Sequence, residues 1–255
     1  ILDPILIFGS GPIPAFGVEG ASIASVISWT VSFSLILYLI MVKRKLVATG
    51  HQPLPEFFRI SRRILHIGLP AAGANMLTPL AMAVLTAIMA SYGAHAVAAY
   101  GVGARIESIA CLVVLALSMT LPPFVSQNFG AKQLPRIADA YQLCLGFVMK
   151  WQFAVYVLLA IAAPWLAAVF SDDAQVQHLI CWFVWILPLG YGLQGIVILT
   201  NSSLNALHLP LRALSLSVVR LFVFYVPMAW LGGKLFGVIG IFAGGLLANV
   251  LIAVT

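Results

Sequence analysis

FGVEGASIASVISWTVSFSLILYLIMV, residues 16–42, carries one charged side chain, Glu19, in its whole length. A bilayer's hydrocarbon core is ~30 Å thick and takes ~20 mostly apolar residues of helix to cross, so the stretch reads as a transmembrane span from about residue 17. Glycine and proline punctuation sets off six more such stretches, at 64–91, 96–126, 138–170, 176–206, 212–232 and 237–255. Several are longer than the bilayer is thick, which predicts tilt or protrusion. The runs are long and continuous, which excludes the short alternating strands of a membrane β-barrel. Over all 255 residues the chain is 8% charged and 62% hydrophobic, where soluble proteins have roughly 25% and 45–50%. The composition therefore predicts an all-α integral membrane protein, a polytopic helical bundle whose first partner is the lipid bilayer.

The net charge of +6 does not point to nucleic acid, because the basic residues lie in the gaps between apolar blocks and form no stripe with aromatics. Cys111, Cys144 and Cys181 sit singly inside apolar runs, which argues against a disulfide framework or a thiolate metal site and for small packing residues. There is no GxSxG, HExxH or P-loop, and His51, His66, His95, His178 and His208 are scattered. No metal, organic cofactor or catalytic residue is expected, and the chain does not read as an enzyme.

The opening ILDPILIFG is too short to span and has no basic leader; it reads as the end of a helix that begins upstream, and the apolar run still open at Thr255 reads as continuing. Lys and Arg near span ends are retained in the cytoplasm. Alternate loops carry Lys43, Arg44, Lys45, Arg59, Arg62, Arg63, Lys132, Arg136 and Arg212, whereas the opposite loops hold Lys234 beside Glu19, Asp172 and Asp173. The asymmetry places the 43–63 stretch, the longest polar one, on the cytoplasmic side of the inner (cell) membrane. With two prolines and a glycine, 43–63 is expected to be an inter-lobe linker between residues 1–42 and 64–255, its basic cluster serving as a topology signal or a lipid-headgroup contact.

FGVEG at 16–20 returns as FGVIG at 236–240, each followed by small and apolar residues. Six spans separate the two motifs, so the helices they open point the same way, as in parallel repeats related by an axis along the membrane normal. The repeat unit is then six helices. The chain holds one six-helix lobe, 64–255, plus the end of the preceding lobe, and a complete parent would have twelve helices.

ILDPILIFG, FGVEGASIASVIS, IGLPAAGANML (67–77), VAAYGVGARIESI (97–109) and PPFVSQNFGA (122–131) together resemble, in order and spacing, the C-terminal half of the multidrug and toxic compound extrusion (MATE) transporters. The resemblance runs from Leu2 to about Asn249. It implies a twelve-helix protein of two lobes around a central cavity that exchanges Na⁺ or H⁺ for organic cations and other amphipathic compounds. On this reading 1–9 ends helix five, the seven spans are helices six to twelve, and the missing N-terminal lobe is the chain's main partner. In some branches a carboxylate on helix seven or ten handles the coupling ion; the matching positions here hold Thr78 and Gln194, which cannot titrate. That departure shifts the expected coupling carboxylate towards the N-terminal lobe.

Ionisable groups at membrane depth cost roughly 2.5–3.5 kcal/mol or more and are functional candidates for that reason. Here they are Arg105, Glu107, Lys150 and Arg220, with Asp3 and Asp139 nearer span ends. Arg105 and Glu107 point about 200° apart on one helix and cannot form a simple mutual pair. Glu107 is the coupling candidate; the plain alternative is a helix-end acid paired with a base of the neighbouring lobe. Neutral polar residues form faces: Asn75, Thr78 and Met82 on one helix, and Tyr191, Gln194, Asn201 and Asn205 on another. Such groups turn to a wet cavity or to other helices. Met76, Met82, Phe124, Phe222 and Tyr225 would suit an adaptable apolar pocket.

Three functions follow in order. The first is a secondary active exporter of organic cations or drugs in exchange for Na⁺ or H⁺, with the two polar faces as substrate pathway. Coupling there should depend on Glu107 and not on Thr78 or Gln194. The second is a lipid-linked oligosaccharide flippase of the same superfamily, which would need a cationic cavity. The third, an intramembrane enzyme, lacks a catalytic pair.

Overall fold

The computed structural model describes residues 2–9, 14–44 and 54–254, and every described segment longer than a turn is helical. Two units divide after Arg59. The first holds α1 (Leu2–Phe8) and α2 (Gly17–Tyr38), which continues as a π turn over Leu39–Lys43. The Phe16 N–H donates to the Leu6 carbonyl at 3.0 Å, and Gly20 lies so close that a Cβ there would overlap the Leu6 backbone. Small residues are what lets helix backbones approach this closely in lipid.

α3 (Leu54–Ala90) begins ten residues earlier than expected. Residues 54–63, read from sequence as the end of the linker, are helical, and Pro55 falls in the first turn, where a missing N–H costs nothing. The middle of the expected linker, 45–53, lies outside the described residues, as does His51.

The second unit continues with α4 (Ala94–Ala110), α5 (Leu112–Gly130), α6 (Leu134–Phe170), α7 (Ala174–Ile186), α8 (Tyr191–Ala206), α9 (Pro210–Val218) and α10 (Val226–Val254). α4 and α5 form one span broken at Cys111. α7 and α8 form another, joined by a 3-10 turn over Leu187–Gly190. A π turn, Val219–Tyr225, joins α9 to α10, and α10 leaves helical geometry at Phe236 and Gly237. Six helical runs among the described residues are long and apolar enough to cross a membrane, and dividing the last, Pro210–Ala253, at this break gives seven segments in the expected order.

The second unit's core lies where α4, α7 and α10 meet the end of α3. Phe183 is fully buried, edge-on to Phe242 at 5.2 Å and to Tyr100 at 6.4 Å, and its ring lies against Gly103. Outward faces carry large apolar side chains: Leu158, Ile161 and Trp165 on α6 are each more than two-thirds exposed. This inside-out exposure is what a lipid-facing helix requires. Interruptions are satisfied internally, as a bilayer demands. Pro164 cannot donate to the Ala160 carbonyl one turn back, and the Trp185 Nε1–H of α7 does so instead, at 3.2 Å.

The FGVxG motifs share a local device. Gly17 (φ 56°) and Gly237 (φ 64°) both take the left-handed conformation, where a Cβ is costly, and redirect the chain into a helix. Four residues apart, Gly20 and Ala24 in one case and Gly240 and Gly244 in the other then turn inward; Ala24 is buried, and Cβ atoms on Gly240 and Gly244 would overlap the carbonyls of Gly232 and Met228. The same local geometry at a 220-residue offset supports the repeat reading.

Candidate functional site

Five helical stretches of the second unit turn polar stripes towards one cavity of about 500 Å³. α3 contributes Asn75, Thr78 and Met82; α4 contributes Glu107 and Ser108; α5 contributes Ser118 and Met119. α8 supplies Gln194, Asn201 and Asn205, and the stretch from α9 into the π turn supplies Ser217 and Arg220. On α3, on α8 and from α9 into the π turn the contributors recur every three, four or seven residues, the period that keeps side chains on one face, whereas α4 and α5 each present an adjacent pair.

Backbone irregularities gather here as well. α4 breaks at Cys111, one turn beyond Glu107, and the Ala110 carbonyl at the break is taken by the buried Gln152 amide of α6 at 3.1 Å. Arg220 and Tyr225 ride on the π turn, and the 3-10 turn ends at Gly190, one turn before Gln194. Bulged or broken helix within a membrane is tolerated where other protein groups or a wet cavity satisfy the freed backbone, and π segments concentrate at functional sites.

The most specific contact in the wall joins two candidates from different helices: the Gln194 Nε2–H donates to the Glu107 carboxylate at 2.8 Å. Among the described residues this is the carboxylate's hydrogen bond, and no basic group lies within ion-pair distance of it; the ion pairs found are Arg59–Glu56 and His95–Asp173. Among the described residues the carboxylate is thus held by an amide from another helix of the same unit. Sequence placed Gln194 apart from the coupling question, whereas the structure ties it to Glu107. Glu107, Gln194, Thr78, Met82 and Arg220 also border a smaller inner pocket of about 60 Å³, closed by Tyr100, Tyr225 and Asn249. That is room for about two waters.

The other expected residues fall as follows. Tyr191 does not reach the cavity: it is buried in the core, its hydroxyl without a partner among the described residues. At about 100° per residue it lies roughly 40–80° around α8 from Gln194, Asn201 and Asn205, which carries it past the cavity edge into the core. Met76 is exposed away from the cavity, and neither Phe124 nor Phe222 lines it; Tyr225 borders only the inner pocket. Of the expected sulfur and aromatic side chains Met82 lines the cavity, beside Met119 and Cys111; the rest of the described lining is amides, hydroxyls, Glu107, Arg220 and small or aliphatic residues, with no aromatic side chain. Arg105 is exposed on the far face of α4, and Lys150 lies with Asp139 in a separate surface depression on α6. The sequence reading missed Ser108, Ser118 and Ser217. Only Ser217 carried a local signal, a hydroxyl three residues before Arg220; Ser108 is adjacent to Glu107, and Ser118 lies beyond the break at Cys111. Among the described residues no group of three or more His, Cys, Asp or Glu converges.

On the loop side, Asp173 caps α7 by accepting from the Gln175 and Val176 N–H groups at 2.7 and 3.2 Å, with His95 at 3.3 Å. Those backbone donors, and to a lesser degree His95, hold its carboxyl below the ordinary carboxylate range.

Three comparisons bear on identity. The family model described as MatE matches residues 70–231. A protein of Shewanella oneidensis named FAD transporter is 39% identical over 254 residues, covering 100% of this chain and 56% of its own length. The multidrug export protein MepA of Staphylococcus haemolyticus is 24% identical, with 99% and 55% covered. Among solved structures, a mutant of the Vibrio cholerae MATE transporter VcmN superposes with a TM-score of 0.88 at 32% identity, covering 99% of this chain and 56% of that one. The chain spans about half the length of the relatives it matches.

Proposed function

The chain belongs to the MatE family and is an integral, multi-pass membrane protein, and on that premise we propose that it forms one lobe of a secondary active transporter for a large polar organic solute. The observation that carries this reading is the convergence of five polar stripes on one cavity that also holds the Glu107–Gln194 contact. A second lobe would supply the opposite wall. The cavity of about 500 Å³ is within the ~300–1,000 Å³ usual for small-molecule sites.

For the solute, the lining favours hydrogen bonding over an aromatic cage of the kind that holds quaternary ammonium groups. Together with the name of the 39%-identical relative, this makes flavin adenine dinucleotide the first compound to test. Organic cations remain the second reading, supported by a carboxylate in the same wall and by relatives named as multidrug exporters. The flippase reading loses support because, of Arg105, Lys150 and Arg220, only Arg220 reaches the cavity. Coupling to Na⁺ or H⁺ is assigned to Glu107. A carboxylate absent from positions 78 and 194 stands instead on α4, hydrogen-bonded to the amide at 194.

The test is transport by the complete gene product in proteoliposomes under imposed Na⁺ or H⁺ gradients, with FAD and ethidium as rival solutes. Gradient-dependent movement of FAD supports the reading. Movement of ethidium alone moves the assignment to organic cations, and movement of neither refutes it.

A further inference from the structure

Arg220 is a guanidinium at membrane depth that shares both pockets with the Glu107 carboxylate without closing an ion pair with it among the described residues. It lines both the cavity and its inner pocket, yet among the described residues it makes no hydrogen bond and no ion pair. Five N–H donors in a planar fork, held in a site of low dielectric, match the paired oxygens of a phosphate or carboxylate. An intramembrane arginine of this kind is costly unless it meets a partner.

Its surroundings narrow the choice. Ser217 lies one turn earlier on the same helix face and accepts a hydrogen bond from the Asn201 amide at 3.1 Å, which fixes the orientation of that amide. The Asn201 Oδ1 is then buried with no partner among the described residues. It is an acceptor open to a hydroxyl or N–H, in the same cavity wall as the guanidinium and tied to it through Ser217, which lies one turn before Arg220.

We propose that Arg220 is the anion receptor of the cavity and binds a phosphate of the transported solute, while Asn201 receives a neighbouring hydroxyl. The ligand class is a phosphorylated, polyhydroxylated molecule. The proposal deepens the transport reading above and rests on it. It assigns the solute an anionic anchor, where the cation reading would place an ammonium beside Glu107.

The test uses the complete gene product in phosphatidylcholine nanodiscs and two fluorescent probes that differ by one phosphate, flavin mononucleotide and riboflavin. Wild type should bind the mononucleotide about tenfold more tightly, or better, the ~1.4 kcal/mol that one good charged contact supplies. Arg220→Gln should abolish the preference, bringing the mononucleotide and riboflavin to equal affinity in that variant. Arg220→Lys, which keeps the charge without the fork, should retain part of the preference and guards against misfolding of the glutamine variant. An unchanged preference in both variants overturns the proposal. Repeating the titration in phosphatidylglycerol discs separates the sources: selective weakening of the mononucleotide there assigns the site's phosphate to a lipid headgroup, and no change assigns it to the solute. If neither flavin binds, the flavin assignment falls, and pyrophosphate decides the receptor by itself. Thermal stabilisation by pyrophosphate of wild type but not of Arg220→Gln sustains it, and equal or absent stabilisation overturns it.

Discussion

Replacing Gly103 by alanine tests how the core positions the site. A Cβ built on Gly103 would lie 2.5–2.6 Å from three atoms of the Phe183 ring. Ordinary apolar contacts begin about 1 Å farther out. The ring cannot retreat freely, since Phe183 is fully buried between Phe242 and Tyr100. Either α4 or α7 has to move. Overpacking of this kind costs about 1–3 kcal/mol, and rigid neighbours put it near the upper end. For a unit of this size that lowers the unfolding midpoint by roughly 5 °C or more. Glu107 lies one turn beyond Gly103 on the same helix, so displacement of α4 also loosens its contact with Gln194. The assay is thermal unfolding in detergent followed with a thiol-reactive dye, using the free Cys111 as reporter of core opening. Phe183→Leu removes the ring and should relieve the clash, so the double variant should be more stable than the sum of the single effects predicts. A midpoint unchanged by Gly103→Ala, or strictly additive effects, would refute the packing account.

Glu107→Gln should abolish the ion dependence of transport; Gln194→Leu should weaken it by removing the carboxylate's hydrogen bond, whereas Thr78→Val should alter solute preference alone, all read as initial rates under imposed gradients. Trp185→Phe should destabilise the protein by about 1–2 kcal/mol, because the Ala160 carbonyl freed by Pro164 loses its donor; Trp185→His, which keeps a ring N–H, should recover part of the loss. Asp173→Ala should lower the unfolding midpoint at neutral pH by uncapping α7. Because the folded-state pKa of Asp173 is depressed, its contribution is complete above the ordinary carboxylate range of about 4 and is lost as pH falls through the lower folded value. Wild type and variant should therefore converge in acid, and a gap that persists at about pH 2 would contradict the cap.

Most of the fold was legible because lipid imposes a single solution, a satisfied helix, on every long apolar run. The spans, their order and the FGVxG repeat follow from hydropathy and glycine placement alone. The start of α3 was misplaced because a polar, basic stretch reads as a loop, although Pro55 suits a first helical turn. The polar faces were legible as periodicity, and six of the seven side chains named on them line one cavity, together with Glu107. Tyr191 falls outside the cavity because a spacing of three residues leaves it roughly 60° around α8 from Gln194, enough to turn its ring from the cavity edge into the core. The Gln194–Glu107 contact joins residues 87 apart in sequence, and no local pattern encodes which two helices meet. The absence of aromatic rings from the cavity was hidden for the same reason: Phe124 and Phe222 have the right chemistry on the wrong face.

The central claim is that the cavity bounded by α3, α4, α5, α8 and α9 is the solute's path. It is tested most directly by cysteine accessibility in the complete gene product, with Cys111, Cys144 and Cys181 replaced by serine. Asn205→Cys, in the cavity wall, and Ile161→Cys, on the lipid-facing side of α6, are each exposed to a membrane-impermeant thiol reagent with and without the transported solute. Asn205→Cys should react and be protected by the solute, while Ile161→Cys stays inert under both conditions. An Asn205→Cys that is inert, or that reacts at the same rate whether or not the solute is present, would contradict the account.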